Sequence, residues 1–326
     1  MLKKLILWLT AGLLLLILFL QIDLDELHYS LIQIDWAVIG ALLSLQIVTQ
    51  LLLNRQWQRI ANFAGIKLSF GRMLYINAQG SIMEAITPGV KVGGEITRAV
   101  QIARFSSCSR SQAAVVTALQ KLFSLTAFVL INLAAAVYLS RQSTILDNSL
   151  VRLAVYTALG LLLTVFLLIL IMSHKKPPSH PWLGAVRRFF TNLLEQIHLF
   201  ENNKKELAIQ FALALLIWLL YPIKLYLLVC QFQADPPLIY IASITFIAYL
   251  IGMLPLFPGG LGGFEGTMSS LLTGIGLPLG SSAAITVIFR FITFWFVIIL
   301  SLVYTAVYRI IPKQIPNRER MLSDES

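Results

Sequence analysis

Apolar stretches separated by short polar ones recur along the whole chain. Leu5–Ile22, Trp36–Asn54, Gln112–Leu139, Val151–Met172, Leu207–Phe232 and Ser282–Tyr308 each have the length of a membrane-crossing helix, given a rise of ~1.5 Å per residue and ~30 Å of hydrocarbon. Four further apolar arms come in two pairs, Met73–Thr87 with Ile96–Ala103 and Leu238–Leu256 with Phe264–Leu279. Each pair is joined by a break that cannot stay helical. The first is Thr87-Pro88-Gly89-Val90-Lys91-Val92-Gly93-Gly94-Glu95. The second is Phe257-Pro258-Gly259-Gly260-Leu261-Gly262-Gly263-Phe264-Glu265-Gly266.

In a helix interior glycine costs ~1 kcal/mol and proline ~3 kcal/mol relative to alanine. Broken backbone at membrane depth survives only where protein buries it or where it lines a wet cavity. In both breaks Gly follows Pro, a second Gly lies five residues after Pro and a Glu seven after. Pro88, Gly89, Gly93 and Gly94 are therefore the expected hinge residues of a first hairpin, and Pro258, Gly259, Gly260, Gly262 and Gly263 those of a second. Asn77, Ser81, Glu84 and Pro88 fall at helical spacing along one face, which suits a re-entrant half-helix turned toward a cavity. The second arm of the other hairpin carries Gly263, Thr267, Ser270 and Gly274, a small-residue face expected to make close helix contact.

Composition agrees with this pattern. Of 326 residues 58% are hydrophobic and 12% charged, with a mean hydropathy of +0.80. That predicts an all-α, polytopic membrane bundle and one transmembrane domain over 1–326. The net charge of +10 marks one membrane face rather than a nucleic-acid surface. Lys3 and Lys4 precede the first run, and Asp23, Asp25, Glu26 and Asp35 follow it with no base among them. Arg55, Arg59, Lys67 and Arg72 follow the second run, and Arg309, Lys313, Arg318 and Arg320 follow the last. Both termini are thus expected in the cytoplasm. The first run lacks a small-residue cleavage site and reads as a span, not a signal peptide. Cys108 and Cys230 read as packing residues.

The segment 174–206 is basic, with Trp182, Val186, Phe189, Leu193, Ile197 and Phe200 at steps of three and four. It reads as an amphipathic helix, either lying on the inner leaflet or packed beneath the bundle.

The segments 36–139 and 207–308 have opposite topology, an arrangement of secondary transporters that bind substrate near the midplane. Arg55, Pro88, Glu95 and Lys121 match Lys224, Pro258, Glu265 and Arg290 at an offset of 169 or 170 residues. Arg290 lies well inside an apolar run, where an arginine costs ~2.5 kcal/mol or more unless paired or hydrated. Glu265 is its expected partner, and Glu95 with Lys121 the matching pair. Glu84, Lys91 and Arg98 are expected to line the same cavity. Half-helix N-termini and buried bases together suit an anion, and at membrane depth that anion is a lipid head group. Tyr75, Tyr249, Phe257, Phe264 and Trp295 are aromatic candidates for contact with chains or head groups.

At Pro88-Gly89, Gly93-Gly94-Glu95, Arg98-Ala99, Pro258-Gly259-Gly260-Leu261-Gly262, Glu265-Gly266 and Arg290 with Thr293-Phe294-Trp295 the chain resembles the lysylphosphatidylglycerol synthase transmembrane-region family of flippase-like membrane proteins. The likeness covers nearly the whole chain. It implies a bundle of eight or so spans in a bacterial or archaeal cytoplasmic membrane that moves lipids or lipid-linked head groups between leaflets. Lysyl transfer is not expected, because the chain stops shortly after the last span, where the full-length synthases carry an aminoacyl-transfer domain. Gln120-Lys121 also departs from the acidic–arginine pair the family suggests.

The transporter reading needs no ATP hydrolysis, since no G-x-x-x-x-G-K stretch is present, and Glu95 and Glu265 are candidate proton acceptors. The rival is a glycosyl- or head-group transferase using a polyprenyl-linked donor, whose best sequence support is Asp23-x-Asp25-Glu26 just outside the first span, a spacing able to hold a divalent metal. No H-E-x-x-H or G-x-S-x-G motif occurs, and no cofactor or metal is expected. A third reading is a regulatory membrane protein, as a homo-oligomer or holding a partner enzyme through the 174–206 helix.

Overall fold

The computed structural model describes residues 32–87, 92–141, 156, 160, 164, 181–232, 236–253 and 262–310. Among the described residues the protein is helical, with no strand. The expected span Leu5–Ile22 lies outside them, as does Val151–Met172 apart from three isolated positions.

Among the described residues four helical segments are long and apolar enough to cross a membrane. The first is α1, Trp36–Phe63, capped by the Asp35 carboxylate, which accepts from the Ala37 N–H at 2.9 Å. It continues past Asn54, where the apolar run ends, because its polar last turns have partners. Gln56 donates to the Gln210 carbonyl, Gln58 to the Leu68 carbonyl, and Arg59 forms an ion pair with Glu206. Helices α2 (Phe70–Ile86) and α3 (Val92–Ser106) form the first hairpin, and α4 (Arg110–Arg141) is the next span. Helix α5 (Pro181–Asn202) leads into α6 (Lys204–Val229), a span that ends in a 3-10 turn at Cys230–Phe232.

The second hairpin consists of α7 (Leu238–Gly252) and α8 (Gly263–Gly274). At ~1.5 Å per residue neither arm alone reaches across ~30 Å of hydrocarbon. The last span is continuous from Leu279 to Ile310: α9 (Leu279–Arg290), a π-helical turn (Phe291–Trp295) and α10 (Phe296–Ile310).

Contacts between elements run in corresponding pairs. Helix α2 packs along α3 and α7 along α8; α3 leans on α4 and α8 on α9. Helix α2 also packs on α10, while α7 packs on α4, and α1 lies against α6 between them. One apolar core gathers around Trp57, Met73, Ile102, Phe128 and Phe246, a second around Leu42, Leu225, Phe264, Met268 and Phe289. Tyr221 and Tyr249 touch both cores.

Two expectations need comment. Helix α5 packs beneath the bundle against α4 and α6: Leu193 and Phe200 are buried, and the Phe200 ring lies 4.1 Å from that of Phe63 and 5.3 Å from that of Phe123. The side chains of Trp182 and Val186 lie outside the described residues. The small-residue face of α8 is not its packing face. Ser270 and Gly274 are exposed and Gly263 and Thr267 half-buried, whereas Phe264, Glu265, Met268, Ser269 and Leu272 are buried. Bulky side chains fill the space between α7, α8 and α9, so no close backbone approach is needed there.

Close approach occurs instead in the first hairpin. A Cβ at Gly94 would stand 2.3 Å from Glu84 Cγ and 2.7 Å from the Gly80 carbonyl oxygen, and one at Gly80 would stand 2.5 Å from Arg98 Nε. These two glycines let α2 and α3 close around the Glu84 and Arg98 side chains.

Candidate functional site

The first hairpin builds a cluster of four charges. Arg98 on α3 is 4% exposed. Its Nη2 donates to Glu84 Oε2 on α2 at 3.0 Å and its Nη1 to Glu95 Oε1, one turn back on α3, at 3.0 Å. Lys121 Nζ reaches from α4 to the same Glu95 oxygen at 2.8 Å. The guanidinium lies 5.5 Å from the centre of the Trp57 ring on α1. Glu95 sits in the first turn of α3, where the helix dipole favours an anion. Its Oε2 is buried and accepts no hydrogen bond. The Lys121 side chain is 34% exposed and forms the open side of the cluster.

The second hairpin repeats the theme with one base. Glu265 Oε1 lies 2.9 Å from Arg290 Nε, and its Oε2 accepts from the Gly262 N–H at 2.7 Å. That second bond caps α8 and needs Gly262 at φ +84°, a conformation open to glycine. The Arg290 guanidinium lies between the rings of Phe264 and Phe294, 4.8 and 4.3 Å from their centres. Phe294 reaches it from the π-helical turn that begins directly after Arg290.

A row of aromatic rings leads from α6 to the second cluster. Tyr221 on α6 stands beside Gln46 and within electrostatic reach of Glu84. Its ring lies 5.1 Å from that of Tyr249, which is 5.0 Å from Phe264 and within reach of Arg290. A further basic residue lies beside Tyr221. Lys224 is 0% exposed; its Nζ donates to Gln46 Oε1 and to Thr49 Oγ1 at 3.1 Å, and lies 4.4 Å from the centre of the Tyr221 ring.

The site residues expected from sequence fall into three groups. Glu84, Glu95, Arg98 and Lys121 come together around the first hairpin, Glu265 and Arg290 around the second. Gly93, Gly94, Gly262 and Gly263 open the helices that carry Glu95 and Glu265. Lys91, Pro88, Gly89, Pro258, Gly259, Gly260 and Phe257 lie outside the described residues, as does the Asp23–Glu26 triplet. Among the aromatics, Tyr75 stacks on Tyr308 at 4.3 Å, and Trp295 is half-exposed and lies edge-on to Phe294.

Lys224 was visible in the sequence only as the match of Arg55, and the two differ: Arg55 is partly exposed at the end of α1 and bonds Gln58. A lysine two residues after Pro222 in an otherwise apolar run was the available signal.

A crevice of about 150 Å³ opens beside the first cluster, between α1, α2 and α10. Its walls are almost entirely apolar, with Ile47, Leu51 and Leu74 prominent. Asn77 and Ser81 carry its α2 wall to within one turn of Glu84.

Residues 3–301 match the family described as the lysylphosphatidylglycerol synthase transmembrane region. A UPF0104 membrane protein of Methanothermobacter thermautotrophicus is 26% identical over 291 residues, covering 83% of this chain and 86% of its own. A UPF0104 membrane protein of Methanocaldococcus jannaschii is 22% identical over 305 residues, covering 90% and 91%. A second M. thermautotrophicus protein of that description is 32% identical over a shorter stretch of 107 residues, about a third of each chain.

Proposed function

The chain belongs to the lysylphosphatidylglycerol synthase transmembrane-region family, a family of multi-pass integral membrane proteins, and from that premise we propose that it is a flippase-like transporter. It moves a lipid with an anionic head group, or a lipid-linked intermediate, across a bacterial or archaeal cytoplasmic membrane without hydrolysing ATP. The observation that carries this reading is the pair of buried ion clusters, one on each hairpin. Buried ionisable groups are expensive in a bilayer and collect where something polar passes. The Lys121 side chain is partly exposed while its ammonium is bonded to Glu95. A head-group phosphate entering there competes with Glu95 for it.

The crevice between α1, α2 and α10 supports a lipid over a free anion. A largely apolar crevice of about 150 Å³ has room for an apolar group of benzene size, enough to seat part of an acyl chain whose head lies at Glu84 and Arg98. The corresponding roles of Glu95 with Lys121 and Glu265 with Arg290, and the paired packing of α2 on α10 and α7 on α4, support two inverted halves over 36–139 and 207–308. The Arg59–Glu206 pair holds the basic end of α1 at the start of α6, in keeping with a cytoplasmic basic face and cytoplasmic termini.

Reconstitution into liposomes with a fluorescent anionic phospholipid tests the proposal. Accelerated leaflet exchange is expected, lost in Glu265→Gln and Arg290→Met although both variants still insert. Exchange no faster than in protein-free vesicles sinks it.

A further inference from the structure

Of the four charged side chains in the first cluster Lys121 is the most exposed, at 34%, against 18% for Glu84, 15% for Glu95 and 5% for Arg98. An approaching anion meets Lys121 first. Arg98 is held by two carboxylates, one on each arm of the hairpin, whereas among the described residues Lys121 meets Glu95 alone. A phosphodiester that reached Lys121 with Glu95 in place would bring two negative charges side by side, so the two anions exclude one another from the ammonium. Glu95 keeps an anchor when it lets Lys121 go, because Arg98 Nη1 holds the carboxylate at 3.0 Å from its own helix. The pair also has hydrogen-bonding capacity in reserve: Glu95 Oε2 accepts no hydrogen bond and Arg98 Nε donates none, although both atoms are buried. Unsatisfied buried groups need a reason, and a cluster built to change partners supplies one.

We propose that Glu95 is a tethered competitor of the ligand: its carboxylate occupies Lys121 in the empty state, yields it to a lipid phosphodiester, and takes it back to expel the head group. Lys121 is then the base that touches the ligand, and Arg98 the fixed pin that keeps both acids in place. This rests on the transporter reading for the expulsion step; the competition itself is read from binding. A competitor behaves unlike an ordinary binding residue. Removing the charge of Glu95 strengthens binding and slows turnover.

The full chain in dodecyl maltoside micelles is titrated with fluorescent phosphatidylglycerol, and with fluorescent phosphatidylcholine as the uncharged comparison. Glu95→Gln keeps the side-chain shape and leaves Arg98 its bond to Glu84. It is expected to bind phosphatidylglycerol roughly fivefold tighter than the unmodified protein, the factor set by about 1 kcal/mol of ion pairing, with phosphatidylcholine unchanged. Lys121→Gln is expected to lose the preference for phosphatidylglycerol and Lys121→Arg to keep it. Adding Glu95→Gln to Lys121→Gln is expected to restore nothing. In liposomes Glu95→Gln is expected to exchange phosphatidylglycerol several-fold more slowly, and exchange at the unmodified rate overturns the expulsion step. Binding by Glu95→Gln that is no tighter overturns the competitor role and leaves the transporter reading standing. Tighter binding by Glu95→Gln with no exchange by the unmodified protein upholds the competition and removes the transporter reading. Should Glu95→Gln fail to insert, Lys121→Gln decides: undiminished binding of phosphatidylglycerol there overturns the proposal. Glycerophosphoglycerol, the same head group without acyl chains, is expected not to displace the lipid; displacement at equal concentration assigns the site to a soluble anion and overturns the lipid phosphodiester.

Discussion

The approach of α2 to α3 makes a quantitative prediction for Gly94→Ala. The new Cβ would stand 2.7 Å from the Gly80 carbonyl oxygen, a backbone atom inside a helix that cannot turn away. Ordinary contact begins near 3.4 Å, so the helices must separate by about 0.7 Å. The Arg98–Glu84 bond, now 3.0 Å, crosses the same gap and stretches beyond hydrogen-bonding range. Overpacking of this kind costs ~1–3 kcal/mol, and a weakened charge-assisted bond adds ~1.5–3 kcal/mol at most. The alanine returns ~0.5–1 kcal/mol of helix propensity. The net expectation is a loss of about 2–4 kcal/mol. Gly40, in exposed α1, is the control: a Cβ there meets nothing within 4 Å, and Gly40→Ala should stabilise by ~0.5–1 kcal/mol. Unfolding in mixed dodecyl maltoside and SDS micelles, followed by circular dichroism, reads both. Opposite signs are required; a Gly94→Ala protein as stable as Gly40→Ala refutes the packing described for the first hairpin.

Two further substitutions probe the rest of the frame. Gly262→Ala forces a Cβ into φ +84°, costing ~1–2 kcal/mol; a melting temperature unchanged from that of the unmodified protein argues against the Gly262–Glu265 cap. Phe200→Ala removes the ring that ties α5 to Phe63 and Phe123. It should cost ~3–5 kcal/mol and raise hydrogen exchange along Pro181–Asn202, while a local effect confined to residue 200 contradicts docking of that helix.

Four of the expected spans were legible among the described residues because run length against bilayer thickness is a one-dimensional question. The pairing of Arg290 with Glu265 was legible too: each is too costly in lipid to stand alone, and each lies next to a recognisable feature. What escaped was long-range in sequence. Helix α1 runs on to Phe63 because Gln56 and Arg59 meet Gln210 and Glu206, about 150 residues away, and no local pattern announces that. Lys224 looked like a matched position rather than a site residue, since Gln46 and Thr49 meet it only after α1 and α6 pack. The small residues of α8 misled for the reverse reason: size permits close contact but does not require it, and Gly80 with Gly94 used that freedom instead.

The turn from Phe291 to Trp295 holds one residue more than the helix on either side of it. That surplus leaves the last span with slack at the position directly after Arg290. A shift of the surplus by one step turns the residue it passes by about 100° while both flanking helices stay hydrogen-bonded. Arg290 or Phe294 then re-aims without a break in the backbone, and because α10 rests on α2, the adjustment is felt at the far hairpin.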